Sequence, residues 1–329
     1  MSDRPLTLYE RISSPPPMTV RRVLVPTDFS ESADVALAHA LRLADRFDAS
    51  LHLLHVVSEL NAAFYGLADT EDRAAAGLEA QIRSEAQERL SEIAPDRSSS
   101  DVQSTVVQRP NLDETDAVLE YVTEHAVDLV VMGTHGRRGI SRLMLGSVSN
   151  KVIRRAPCPV LTVQAGEETV GASDAVRYQN ILAPVDFSEH SRRSLRLSKE
   201  IAARSGAHLH LMFVAEKQVV PTFSDTGLPG INVVEMDPEI VENAQDALEE
   251  LNEEVGGPDV ESSCHVETGS VVENIIEFAD AKEVDLIAMA TRGLTNITRF
   301  VLGTNTERTV RAAPCPVLTV PASSAPDDE

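Results

Sequence analysis

The chain has 329 residues, a length that allows about two domains of 100 to 200 residues each. Its 52 acidic and 29 basic side chains give a net charge of −23, and such a surface repels phosphate backbones and anionic lipids, so nucleic acid and membrane surfaces are not expected as partners. Three cysteines do not form a disulfide framework. The sequence contains no run of about 18 apolar residues that would predict a membrane span, and we expect a cytoplasmic protein.

The sequence contains a duplication. The segment PTDFSE at Pro26–Glu31 recurs as PVDFSE 158 residues later, and APCPVLTV at Ala156–Val163 recurs 157 residues later. Because two distant landmarks keep their spacing to within one residue, we predict two tandem domains and not a short-period solenoid. The predicted divisions are a disordered tail (1–20), a first domain (21–163), a short flexible linker (164–179), a second domain (180–321) and an acidic tail (322–329).

In the first half, short apolar runs alternate with helical patterns, which predicts parallel strands joined by helices. Ser30 precedes apolar residues at helical spacing and is the expected cap of the first helix. The predicted elements are a strand at 22–25, a helix after Ser30, a strand at 51–57, a helix at about 69–93, a strand at 102–107, a helix at about 113–125, a strand at 129–132, a helix at 147–155 and a strand at 160–163.

The second half repeats the series. Five strands with intervening helices in each half predict an α/β fold of two tandem, doubly wound, five-stranded parallel-sheet domains. The closing strand of each half is apolar and is expected at a sheet edge, where its backbone can pair with the other domain or with a second chain in a homodimer. The second set of strands is predicted at 181–183, 209–214, 260–266, 286–289 and 317–320.

A glycine pattern follows the fourth strand. Gly133 and Gly136 form G-x-x-G, and after nine intervening residues Gly146 and Ser147 stand at a predicted helix start. Glycines let backbone N–H groups approach an anion, and a helix N-terminus adds donors and partial positive charge. The spacing predicts a phosphate site that is neither the dinucleotide fingerprint nor the P-loop motif. A purely structural turn is the alternative.

Asp28 follows the first strand. If the strand order reverses between the first and fourth strands, Asp28 and Gly133 flank the same crevice. A carboxylate there can accept hydrogen bonds from a base amino group or from ribose hydroxyls. The alternative role is to cap the turn after the strand or the following helix.

The sequence gives little reason to expect catalysis or a metal site. His135 lacks a paired carboxylate in its motif and is a poor candidate for a general base. Cys264 and His265 are adjacent on a predicted strand, so their side chains point to opposite faces and do not readily bind one ion. We therefore predict no catalytic residue and no metal ligand.

Both halves resemble domains of the universal stress protein (UspA) family. The resemblance rests on the P-T-D-F-S-E opening, the L-L-H-V sequence at Leu53–Val56, the G-x-x-G, nine residues, G-[ST] spacing and the P-C-P-V-L-T-V ending. It implies a UspA-like domain, of the adenine nucleotide alpha hydrolase-like class, in a family with ATP-binding and non-binding members. The glycine spacing is typical of the binders, so the resemblance implies an ATP-binding protein of stress response or signalling, with Mg²⁺ and slow ATP hydrolysis left open.

Two other functions are kept as alternatives. The first is an interaction or dimerisation module of the same family that binds no nucleotide, and the second is an enzyme that handles adenine compounds, which the fold alone does not exclude. In the first domain the resemblance places Asp28 and the Val56 backbone at the adenosine. It places Gly133, Gly136, Gly146, Ser147 and Val148 around the ribose and phosphates, with Pro26, Thr27 and Met132 as walls.

The second domain keeps only part of this pattern. Ala290 replaces the first glycine, Arg292 stands where the first domain has His135, and Asn305 replaces Val148, so nucleotide binding by the second domain is left open. A methyl group at 290 costs little if the local backbone has negative φ, and it blocks close approach otherwise. The matching residues are Asp186, Val214, Gly293, Gly303 and Thr304.

Overall fold

The structure, a computed structural model, describes residues 19–57, 75–93, 102–108, 113–134, 145–164, 176–216, 219–223, 229–233, 238–293 and 302–322. The strands in these segments are β1 (Arg22–Pro26), β2 (Ser50–Val57), β3 (Val102–Gln108), β4 (Leu129–Gly133), β5 (Val160–Val163), β6 (Asn180–Pro184), β7 (His208–Ala215), β8 (Val219–Phe223), β9 (Pro229–Val233), β10 (Ser262–Thr268), β11 (Leu286–Ala290) and β12 (Val317–Val320). The helices are α1 (Glu31–Phe47), α2 (Ala75–Ile93), α3 (Glu114–Glu124), α4 (Ser147–Arg155), α5 (Glu189–Ser205), α6 (Pro238–Glu254), α7 (Val271–Ala281) and α8 (Thr304–Ala312).

Ten of the strands form one sheet, in the order β10-β7-β6-β11-β12-β5-β4-β1-β2-β3. Within each half the neighbouring strands are parallel, and the chain reverses its direction of winding between β1 and β4 and between β6 and β11. The predicted doubly wound α/β fold with two similar domains is therefore confirmed. One hydrophobic cluster lies under α1, α2, α5 and α6, and a second lies on the opposite face under α3, α4, α7 and α8.

The two closing strands pair with each other. β5 and β12 are antiparallel, with Leu161 opposite Leu318. Thr162 Oγ1 donates to the Val317 carbonyl at 3.1 Å, and Thr319 Oγ1 donates to the Val160 carbonyl at 3.1 Å. Because β4 and β11 occupy their other sides, neither closing strand keeps a free edge, and a homodimer through these strands would have to displace the internal pairing.

The contacts between α1 and α5 are reciprocal as well. Arg46 Nη1 donates to the Arg204 carbonyl at 2.8 Å, and Arg204 Nη1 donates to the Arg46 carbonyl at 3.0 Å. These two residues are 158 positions apart, the same offset as the repeat. The two domains are therefore related by an approximate two-fold axis, as in an isologous dimer.

Both long helices begin at the serine of the repeated motif. The Ser30 side chain accepts a hydrogen bond from Ala33 N, as predicted, and Ser188 accepts one from Ser191 N. Each side chain satisfies one of the backbone donors that a helix start leaves unpaired. At the other end Asp48 and Gly206 adopt left-handed φ of 53° and 67°, which ends the helices.

Two predictions about the connecting segments are wrong at their described ends. Val20, assigned to the tail, is buried. It lines a small apolar void between the domains, together with Leu197 of α5. Val176 and Tyr178, assigned to a flexible linker, are also buried, and the Tyr178 hydroxyl shares a 2.8 Å hydrogen bond with His39 Nδ1 on α1. The segment before each first strand therefore packs against the other domain.

Smaller differences concern boundaries. The third strand of the second domain, β10, is shifted by two residues from its prediction, and the antiparallel hairpin of β8 and β9 was not predicted. The predicted second helix begins before Ala75, at residues outside the described part. Most of the two predicted tails and of the predicted linker also lie outside it. None of the helices described is long and apolar enough to cross a membrane.

Candidate functional site

The end of β1 has an unusual backbone. Phe29, directly after Asp28, has φ of 60°, and its counterpart Phe187 has φ of 62°. A bulky residue in the left-handed region is strained, and such strain persists where the surrounding contacts hold it. Asp28 Oδ1 accepts from Ser30 N at 3.1 Å, and Thr27 Oγ1 accepts from Phe29 N at 3.0 Å. The turn-capping role of Asp28 is thus present, and the same turn places its carboxylate at the carboxyl end of the sheet.

Gly133 ends the neighbouring strand β4, so it lies across the crevice from Asp28 at the point where the winding reverses. A Cβ built on Gly133 would lie 2.5 Å from Ser32 Oγ and 2.9 Å from the Ser32 carbonyl carbon. Only glycine therefore fits beside the first turn of α1. The predicted juxtaposition of the first and fourth strands is the one observed.

The start of α4 is tied to the end of β4. Gly146 N donates to the Thr134 carbonyl at 2.7 Å, and Ser149 Oγ donates to the Gly133 carbonyl at 2.8 Å. Gly146 is the N-cap and, as a glycine, makes no side-chain capping hydrogen bond to the first turn of α4, which begins at Ser147. The first amides of α4, with the positive end of the helix dipole, therefore lie beside the crevice between β1 and β4.

Apolar residues form one wall. Val56, Met132 and Val148 belong to the same hydrophobic cluster on the α3 and α4 face of the sheet. Thr27 is buried next to the half-buried Pro26. Of the predicted first-domain residues, only Gly136 falls outside the described part, and the others lie at the ends of β1, β2 and β4 or at the start of α4.

The second domain shows a direct contact across its crevice. A Cβ on Gly293 would lie 2.3 Å from Asp186 Oδ2, so the carboxylate after β6 touches the glycine after β11. Asp186 Oδ1 also accepts from Ser188 Oγ at 2.6 Å. Gly303 N donates to the Thr291 carbonyl at 2.8 Å, matching the contact of Gly146 in the first domain.

The remaining predicted residues of the second domain take equivalent places. Val214 is buried near the end of β7, and Thr304 is the exposed first residue of α8. Ala290 is not among the residues with positive φ, so its methyl group causes no backbone strain. The half-buried Arg292 lies beside Gly303, since a Cβ built on that glycine would be 3.9 Å from Arg292 Cα.

Sequence reasoning missed three residues of the first site. Ser32 sets the space at Gly133, Ser149 ties α4 to β4, and the buried His55 donates from Nδ1 to the Thr27 carbonyl at 2.7 Å. A signal existed for Ser149, because Thr306 repeats its hydroxyl and donates to the Ala290 carbonyl at 2.9 Å. No comparable signal exists for His55, whose counterpart in the second domain is Phe213.

A histidine cluster lies elsewhere in the second domain. His210 Nδ1 and His265 Nε2 are 3.2 Å apart, and the His208 ring is 4.5 Å from the His210 ring. One of the paired rings must accept and the other donate, which requires a neutral acceptor. Burial, followed by the charges of His208, His265 and Lys282, lowers the pKa of His210 from 6.5 to about 4, and burial lowers the pKa of His265 too.

Acid is therefore expected to destabilise the second domain. The unfolded chain takes up the His210 proton near pH 6.5, whereas the folded chain resists it down to about pH 4, so this contribution to stability is lost as pH falls through that window. The variant His210→Phe should show a smaller loss of unfolding free energy between about pH 7 and about pH 4.5 in urea titrations. The exposed His125→Gln serves as control, and an equal pH dependence in His210→Phe and wild type would contradict the expectation.

The described residues contain no group of three or more histidines, cysteines and carboxylates arranged to hold a metal ion. Cys264 packs against the α1, α2, α5 and α6 cluster, whereas His265 contacts Phe278 on the opposite face, as their alternation predicted. Burial raises the pKa of the Cys158 thiol to about 12. This thiol is therefore protonated and packs as a small apolar group.

Comparison with known proteins relates both halves to one family. The model of the universal stress protein family matches residues 19–164 and 177–321. A universal stress protein of Methanocaldococcus jannaschii is 30% identical over 146 residues, which are 44% of this chain and 82% of the relative. Universal stress protein A homolog 2 of Coxiella burnetii is 36% identical over 148 residues, 44% of this chain and 94% of the relative.

A solved structure matches the whole arrangement. The crystal structure of a universal stress protein from Archaeoglobus fulgidus superposes with a TM-score of 0.63 at 19% identity, covering 95% of this chain and 99% of that one. At this identity the match shows a shared fold and no more. It includes both domains, so the tandem arrangement occurs in a solved structure as well.

Proposed function

The chain belongs to the universal stress protein family, and from that premise we propose that it binds ATP in its first domain and acts in stress response or signalling in the cytoplasm. The proposal includes little or no turnover of the nucleotide. One observation carries it: Asp28, Gly133 and the start of α4, whose N-cap is a glycine, lie at the reversal of winding between β1 and β4. In open α/β sheets this crevice is where ligands bind.

Each part of the crevice suits one part of an adenine nucleotide. The Asp28 carboxylate can accept from ribose hydroxyls or from the base amino group, and the apolar wall of Val56 and Met132 can receive the base. The first backbone donors of α4, from Ser147 onward, suit phosphate oxygens, and Gly133 permits close approach. A Mg²⁺ ion would arrive with the phosphates, since no described cluster of protein ligands is arranged to hold one.

The second domain has the same acidic residue and the same helix start but a different crevice. Asp186 is held by Ser188 and lies against Gly293, so a ligand would have to share or displace that contact. Ala290 also adds a methyl group where the first domain has Gly133. We therefore propose the first domain as the principal site, and the measured stoichiometry decides whether the second is occupied.

The direct test is to denature freshly purified protein and to identify and count any released nucleotide per chain. A ratio near one supports the first site alone, and a ratio near two supports both. Protein that carries no adenine nucleotide and is not stabilised by added ATP with Mg²⁺ would refute the proposal.

Asp28→Ala is expected to weaken ATP binding by about 10- to 100-fold, the range for losing a hydrogen bond to a charged group. Asp28→Asn separates the turn-capping role of Asp28 from the role of its charge in ligand binding. The amide oxygen of asparagine can still accept from Ser30 N, but the negative charge is gone. Asp186→Ala is the matched control in the second domain. Equal ATP affinity in Asp28→Ala and wild type, by calorimetric titration, would remove Asp28 from the site.

The interaction-module alternative is less well supported. It relied on closing strands open to another chain, and β5 and β12 pair with each other here. A homodimer through the same strands stays a prediction that light scattering at several protein concentrations can test. A mass of one chain at all concentrations would count against it.

A further inference from the structure

Helix α5 is basic in a strongly acidic chain. It carries five lysine and arginine side chains and two glutamates, whereas its counterpart α1 carries two arginines and three carboxylates. The chain as a whole has a net charge of −23. This helix therefore has a net positive charge that its counterpart α1 lacks.

Three of the five basic side chains of α5 have protein partners. Arg192 Nη1 is 3.0 Å from a Glu254 carboxylate oxygen, Lys199 donates to the Asn252 carbonyl, and Arg204 donates to the Arg46 carbonyl. These contacts tie α5 to α6 and to α1. These three basic side chains therefore have a structural role in holding α5 against its neighbours.

Arg193 and Arg196 are different. Within the described part of the chain neither forms an ion pair with a carboxylate, and Arg193 Nη1 and Arg196 Nε are buried without a hydrogen-bond acceptor. Glu189 is the acidic group that acts on Arg193, but its carboxylate is 3.9 Å from Arg192 Nε. Among the residues that the structure describes, these two arginines therefore have no carboxylate partner.

The two arginines stand three positions apart and so share one face of α5. Partial burial, followed by the neighbouring Arg196 charge, lowers the pKa of the Arg193 guanidinium. Desolvated like charges are costly unless an anion compensates them. Both residues are half-buried, so neither is fully enclosed by the protein.

The first domain shows that the fold does not require arginine here. The repeat offset of 158 places Val35 and Ala38 at the equivalent positions of α1, where both are buried in the hydrophobic core. An apolar pair would be the less costly choice for the second domain as well. The arginines therefore point to a function in binding.

We propose that Arg193 and Arg196 together form a binding site for an oxyanion of the phosphate or carboxylate class on α5. Guanidinium groups present planar pairs of N–H donors that match such anions in two-point contacts. Both arginines lie within α5 beyond its Ser188 cap, and neither is among the residues predicted for the crevice next to Asp186. The proposed site exists only in the second domain.

The test uses the residues of the first domain. The variant Arg193→Val with Arg196→Ala should lose at least about tenfold in affinity for inorganic phosphate, measured by calorimetric titration at constant ionic strength. Without phosphate the same variant should be at least as stable as wild type, because it no longer buries unpaired charge. Titrations with acetate in place of phosphate separate a carboxylate preference from a phosphate preference.

Arg21→Gln with Arg22→Gln is the charge control, because it removes two positive charges at the amino end of β1. It should bind phosphate as wild type does. If the apolar variant does not fold, Arg193→Lys with Arg196→Lys keeps the charge, lacks the planar donors and should still bind phosphate more weakly. Equal phosphate and acetate binding by wild type and the α5 variants, or no binding to wild type, would overturn the proposal.

Discussion

Replacing Gly133 by alanine is expected to lower the free energy of unfolding by about 1–3 kcal/mol, the usual cost of overpacking. The new Cβ would lie 2.5 Å from Ser32 Oγ, 2.7 Å from Ser32 Cβ and 2.9 Å from the Ser32 carbonyl carbon. A change of the serine rotamer relieves only the first contact, so the start of α1 must move. Since Asp28 and Ser30 share that turn, ATP binding in the first domain should weaken as well. Urea unfolding measures the stability and calorimetric titration the binding.

Two variants make this expectation specific. Ala290→Gly is the matched change in the second domain and should alter stability by less than about 1 kcal/mol, the conformational cost of a glycine. Ser32→Gly combined with Gly133→Ala removes two of the three close contacts and should recover part of the loss. A Gly133→Ala protein with wild-type stability would show that α1 is free to shift.

Leu161→Ala should have the largest effect on stability, a loss of about 2–5 kcal/mol, the range for leucine truncation in a core. Leu161 is 1% exposed, is paired with Leu318 across the β5–β12 contact and lines the void between the domains. Truncation there weakens both domains at their shared boundary. Scanning calorimetry should therefore show a lower melting temperature and a broader or divided transition.

Leu90→Ala is the matched control, because Leu90 is equally buried but lies on α2, away from the boundary. It should destabilise the first domain and leave the contact between β5 and β12 intact. If Leu161→Ala lowers stability by less than about 1 kcal/mol and keeps one sharp transition, the two domains do not depend on this boundary.

Features that recur in the sequence were predictable, because a repeated pattern carries information about local structure. The serine caps follow from a hydroxyl residue before an apolar helical pattern, and the crevice follows from the order of strands and helices. The position of Asp28 and Gly133 near the reversal of winding was predictable, because Asp28 follows β1 and Gly133 ends β4. Local periodicity and topology were sufficient for these features.

Contacts between distant segments were not predictable. Tyr178 reaches His39 from 139 positions away, and Val20 lies among residues of both domains. Short-range polarity instead indicated a tail and a flexible linker. Ser32 was missed for a similar reason, since its closeness to Gly133 depends on how α1 lies on the sheet.

The antiparallel pairing of β5 with β12 has a consequence for how the two halves could diverge. In a dimer of identical subunits every substitution appears twice, and the subunits separate on dilution. Here one polypeptide carries both partners, so their association is intramolecular and independent of protein concentration. Each domain can then acquire substitutions of its own and still remain paired with the other domain. Arg193, Arg196 and Ala290 are differences that only one copy carries.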